Sequence, residues 1–247
     1  MKIYKKEDIK MGSIEFVGVI NDFFNTDLES ETSIEIPENA HFIQDENWID
    51  MSNPLNWHII AIPVFAIILI IMFFKQRKNG IFNKDVKKEY IENNKITGTK
   101  KILLTALKRF CIIMLIFFVG TILITPIHEL LHCIAGALVG LNMKFGIDPQ
   151  LFAGFAYTDD PLTKSQFLFM SLTPLIILGI IPLVIIFIKY PKGKITYNRA
   201  IKYWILTCFI GAMIMSCSPD IIQSFNFIIH IPNNAIVVED YWYIQNK

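Results

Sequence analysis

Apolar residues in this chain gather into long blocks instead of recurring at the period of a strand or an amphipathic helix. Four blocks stand out: Leu55 to Phe74, Phe110 to Leu141, Phe167 to Ile188 and Tyr203 to Ile231. A bilayer core takes about 20 apolar residues of helix, so each block predicts a transmembrane helix. Between and before them the pattern changes. "SIEFVGVI" and "TSIEIP" near the N-terminus read as short strands. Residues 75–109 read as an amphipathic helix along the membrane surface. "MKFGI" and "LFAGFAYT", joined by Asp148-Pro149-Gln150, read as a β-hairpin. The expected fold is an all-α membrane protein of about four transmembrane helices. It has a small N-terminal extramembrane region and a short β-hairpin between helices 2 and 3. Its parts are an acidic region at 1–54, a first helix at 55–74, a basic segment at 75–109, a membrane-embedded core at 110–231 and a tail at 232–247.

Composition agrees with a membrane protein, with 53% of residues hydrophobic and 18% charged. The net charge of +1 offers no field to hold nucleic acid. Cys111, Cys133, Cys208 and Cys217 all lie in apolar blocks, without metal-finger or disulfide spacing, and read as small packed residues. The first thirty residues contain no continuous apolar stretch of the kind a cleavable signal needs. Lys and Arg concentrate at 75–109 and 189–202, and the other segments are not basic. By the positive-inside rule those two loops are cytoplasmic and both termini outside, in a multi-pass protein of the cell membrane.

All 23 Lys and Arg residues fall outside the four blocks, whereas two acids, Glu129 and Asp220, fall inside. A carboxylate at mid-bilayer costs about 2.5–3.5 kcal/mol on insertion scales. A proton or a bound cation must offset that. "HELLH", residues 128–132, supplies the means to hold a cation. His128 and His132 lie one helical turn apart and share a face, so both imidazoles reach one metal ion. Zinc takes two imidazoles and a carboxylate and leaves a fourth position for water. Glu129 then serves as general base toward the metal-activated water, an arrangement suited to peptide hydrolysis.

The third ligand is open by motif alone. The metzincin continuation is absent, since its Gly and His positions hold Ala135 and Leu138, and no Glu occurs between Glu129 and Glu239. Asp148, Asp159, Asp160, Asp220, Cys217 and His230 remain. Of these only Asp220 is a charge within an apolar block, and Cys217 is its nearest substitute. Depth agrees: His128 follows the last base before its block by nineteen residues and Asp220 by eighteen, so two parallel helices bring them level. Pro126 and Pro219 precede the two positions and predict bends there. Gly136 and Gly140 form a G-x-x-x-G read as a close-packing surface.

From His128-Glu129-x-x-His132 through a Lys144-Phe145-Gly146 turn, Tyr157 and Pro174 to Asp220, the chain resembles the "putative zincin peptidase" family of bacterial multi-pass membrane proteins. That family is similar in pattern to the site-2 intramembrane metalloproteases. The resemblance covers about residues 105 to 240. It implies zinc held by His128, His132 and Asp220, with Glu129 catalytic. It further implies a membrane or membrane-associated polypeptide as substrate, drawn to a hairpin edge beside the site. The Ser218-Pro219-Asp220-Ile221 context departs from the glycine-flanked Asp of these families. A non-catalytic scaffold or immunity protein with the same motif is the alternative reading, and an ion or metal transporter is a third.

Overall fold

A computed structural model of the chain describes residues 11–19, 40–42, 61–94, 99–148, 153–238 and 241–244. The helices are α1 (Ala61–Asn79), α2 (Lys84–Asn93), α3 (Thr99–Leu138), α4 (Lys164–Pro174), α5 (Ile181–Lys189), α6 (Tyr197–Ser216) and α7 (Ser218–His230). A π-helical stretch at Leu175–Ile180 joins α4 to α5. Among the described residues, three helical runs are long and apolar enough to cross a membrane: Leu103–Leu138, Lys164–Lys189 and Tyr197–Ser216. Residues 55–60 of the first expected helix lie outside the described residues; the rest of it falls in α1, whose last turn carries Arg77 and Lys78. A helix expected within 75–109 is present as α2, begun by Asn83, whose side chain accepts from the amides of Asp85 and Val86.

Two expected boundaries are corrected. The block from Tyr203 to Ile231 is not one helix: α6 stops at Ser216 and α7 starts at Ser218. Pro219 lacks the N–H that would continue the ladder into α6, and Ser218 Oγ bonds the Met215 carbonyl that this leaves open. Pro219 therefore opens a new helix and does not bend an old one. The second block ends at Leu138, not Leu141. Gly140 takes φ 92°, and the amides of Leu141 and Gly140 bond the carbonyls of Gly136 and Ala137, a Schellman cap. The missing Cβ of Gly136 makes room for Met143 of the following strand, so that glycine spaces helix against strand, not helix against helix.

Strands follow. β1 (Ile14–Val19) lies within the predicted "SIEFVGVI", β2 is His41–Phe42, and "TSIEIP" lies outside the described residues. β3 (Met143–Asp148) and β4 (Ala153–Tyr157) form the expected antiparallel hairpin, with Phe145 opposite Ala156. Lys144-Phe145-Gly146 is mid-strand and not a turn. β1 adds to β3 in parallel, giving the order β1-β3-β4. A second sheet, not anticipated, runs β2-β7-β6-β5, from β5 (Leu162–Thr163), β6 (Ala235–Val238) and β7 (Tyr241–Ile244).

The chain forms two compact units. The first comprises Met1–Ile49, Ile124–Pro174 and Asp220–Lys247 and contains both sheets. Its core gathers Cys133, Leu141, Met143, Phe167, Phe227, Ile231 and Val237, with Phe167 stacked on Phe227 at 3.6 Å. The second comprises Asp50–Leu123 and Leu175–Pro219 and is helical among its described residues. Its core gathers Ile68, Met72, Ile186, Tyr190, Ala200, Ile210 and Ile214.

Candidate metal centre

All four residues singled out from the motif and the apolar blocks come together in the first unit. His128 and His132, a turn apart in α3, place their Nε2 atoms 3.1 Å from each other. Asp220, in the first turn of α7, brings Oδ2 to 3.0 Å from His128 Nε2 and Oδ1 to 3.5 Å from His132 Nε2. Both histidines are buried, and the Asp220 side chain is 16% exposed. Its place in a helical first turn matters, because the positive end of the helix favours a carboxylate. The break between α6 and α7 therefore supplies part of the compensation that an acid in an apolar block requires.

One imidazole is oriented by the backbone. His132 Nδ1 lies 2.9 Å from the Met170 carbonyl of α4. A carbonyl only accepts, so Nδ1 carries the hydrogen, and the lone pair of the neutral ring sits on Nε2, facing the other two groups. α4 splints the site more widely. Ser171 Oγ donates to the Asp220 carbonyl at 3.4 Å. Gln166 Nε2 donates to Val139 O, past the end of α3, at 3.0 Å. Lys164, buried at the head of α4, donates its ammonium to Ile228 O at 2.9 Å and Ile231 O at 2.6 Å, capping the C-terminus of α7. One helix thus ties down the ends of the helices that bear the two histidines and Asp220.

The donor set fits zinc. Tetrahedral bonds of 2.0–2.1 Å put neighbouring ligand atoms about 3.3 Å apart, and the two imidazole nitrogens and the facing carboxylate oxygens here stand 3.0–3.5 Å apart. Asp220 Oδ2 is buried and has no hydrogen-bond partner, although an imidazole nitrogen is so close. A single proton serves only one pair of the three; a cation at their centre serves all. Glu129, the neighbour of His128, brings a carboxylate oxygen within 4.8 Å of both histidine nitrogens. The β-hairpin presses on this residue: a Cβ built on Gly154 of β4 would stand 2.9 Å from Glu129 Cγ and 3.3 Å from Pro126 Cα.

The other candidate acids and histidines lie elsewhere. Asp159 pairs with Lys144, and that carboxylate holds the lysine ammonium above its usual pKa. Asp160 accepts from the amide of Asn142. Asp148 ends β3, paired across the hairpin with Ala153. His230 is the last residue of α7, at the end opposite Asp220. His41 stacks on Trp242 at 4.5 Å, His58 lies outside the described residues, and Cys217 caps α6. Met170, Ser171, Lys164, Gln166 and Gly154 carry no motif that marks them. Lys164 even counted among the bases outside the blocks, and only its partners show that it is buried.

Residues 121–236, just under half of the chain, match a family described as "Putative zincin peptidase". The matched stretch contains both histidines, Glu129 and Asp220. No curated protein and no solved structure matches the chain.

Proposed function

We propose that this protein is a zinc-dependent endopeptidase embedded in a membrane, cutting membrane or membrane-associated polypeptides. The observation that carries the reading is the convergence of His128 Nε2, His132 Nε2 and the Asp220 carboxylate beside Glu129. Similarity to a zincin-like family over the same residues supports it.

His128, His132 and Asp220 hold the ion. Zinc, when bound, supplies Lewis acidity, polarising a scissile carbonyl and making water acidic near neutral pH. Glu129 moves the proton. Its carboxylate takes a proton from the attacking water and returns it to the leaving amine nitrogen. The hydrogen bond from His132 Nδ1 to Met170 O keeps that ring in one tautomer through the cycle. The three apolar spans hold the chemistry at membrane depth, with the basic loops at 75–109 and 189–202 on the cytoplasmic side.

β4 is the last strand of its sheet among the described residues and runs past Glu129 at Gly154. An extended substrate segment pairing with that edge lies alongside the general base. A photo-cross-linker at Ala156 in the Glu129→Gln protein is expected to capture substrate. Equal capture from Phe16 of β1 removes the edge assignment.

Metal analysis of detergent-purified protein is expected to find one zinc per chain, in wild type and in Glu129→Gln alike. Comparison of membrane proteomes from cells carrying either form is expected to show polypeptides that stay intact only in the variant. A purified protein that holds no zinc and cannot be loaded with it sinks the proposal.

A further inference from the structure

Met170 O is available to His132 for a reason written four residues along. In an α-helix the carbonyl of residue i accepts from the amide of i+4. For Met170 that residue is Pro174, which has no N–H to give. Pro174 lies inside α4, at its last position, and is buried. Helical capture of that carbonyl by residue 174 is therefore impossible, and the carbonyl receives His132 Nδ1 instead, at 2.9 Å. Freed carbonyls in apolar surroundings need another donor. The same device recurs at Pro219, where Ser218 Oγ donates to Met215 O. Pro182, in the same apolar run as Pro174, serves as a comparison, because the carbonyl four residues before it belongs to Leu178, which bears no site residue.

We infer that Pro174 is a positioning residue for the metal centre: by withholding a backbone donor it reserves the Met170 carbonyl for His132, which sets that ring's tautomer and aims Nε2 at the ion. This rests on the zinc reading above. A residue with an N–H at 174 competes for the same carbonyl, and the imidazole then loses its fixed partner. Outer partners of this kind change metal affinity by about 10–100-fold when removed.

The test replaces Pro174 by alanine and, separately, by lactic acid introduced through nonsense suppression. The two have the same side chain, but lactic acid puts an ester oxygen where alanine has its N–H. Zinc affinity of the full-length detergent-purified proteins is measured by competition with a chromogenic chelator. Pro174→Ala is expected to bind zinc about tenfold more weakly, and the lactate protein to bind as wild type does. Pro182→Ala is expected to leave affinity unchanged. Equal affinities for the alanine and lactate proteins overturn the inference and leave the zinc reading standing. If Pro174→Ala does not fold, the lactate protein alone decides: wild-type affinity supports the inference, and a tenfold loss assigns the effect to the proline ring and overturns it. Wild-type protein without zinc removes the functional reading itself.

Discussion

The two units differ in whether their buried polar side chains all find bonds to backbone. In the second, each such group closes on nearby backbone. Gln76, fully buried, donates to Ala200 O at 3.0 Å and accepts from the Ile81 amide at 3.1 Å. Thr207, also fully buried, donates to Tyr203 O at 2.8 Å. In the first, two imidazole nitrogens and a carboxylate point at one another, and a carboxylate oxygen is left with no hydrogen-bond partner. Burial of a polar group is tolerated when its bonds are complete. The buried and incomplete cluster is the one that we propose a bound cation completes.

That contrast can be attacked from either side. The largest expected effect is on turnover. Glu129→Gln should lower the cleavage rate by about 10²–10⁴-fold, the contribution of a positioned acid–base group, while zinc content stays that of wild type. Asp220→Ala should weaken zinc binding by about two orders of magnitude or more, beyond the range of outer-partner changes, read by chelator competition. Unchanged affinity there would mean that the cluster is complete without Asp220. Gly154→Ala should push Glu129 aside without touching His128, His132 or Asp220. We expect about a tenfold loss in kcat at constant zinc affinity, since small misplacements near the reacting atoms are costly. Lys164→Met removes two buried hydrogen bonds from a charged donor, each worth about 1.5–3 kcal/mol, and should lower the thermal midpoint in detergent while zinc remains stoichiometric at saturation. The smallest effect belongs to the second unit: Ile210→Val should cost about 1 kcal/mol of stability with no change in zinc affinity. A metal-affinity change from Ile210→Val would erase the distinction between the units.

Much of the candidate site is legible in the sequence, because membrane-like composition makes charge conspicuous. With every Lys and Arg outside the blocks, Glu129 and Asp220 stood out by simple placement. The i, i+4 spacing put His128 and His132 on one helical face. The hairpin at 143–157 was legible from its alternating pattern and turn residues. The α6/α7 break was harder to see, although Pro219 marks it, because apolar character continues straight through Tyr203 to Ile231. Hydropathy measures what a residue prefers to touch and is silent on whether the ladder is continuous. Counting residues from Lys202 brings Asp220 level with His128 only along one unbroken helix, whereas Asp220 reaches His128 from the first turn of a new one.

The amino-acid order by itself determined the apolar spans, the lone carboxylates and the paired histidines, since each follows from composition or from helical period within one segment. Tertiary structure alone decided which carbonyl holds His132, that Lys164 caps a helix beginning more than fifty residues away, and that Gly154 touches Glu129. Those are contacts between segments distant in sequence. Their partners are chosen by how helices and strands pack, and no local periodicity encodes that choice.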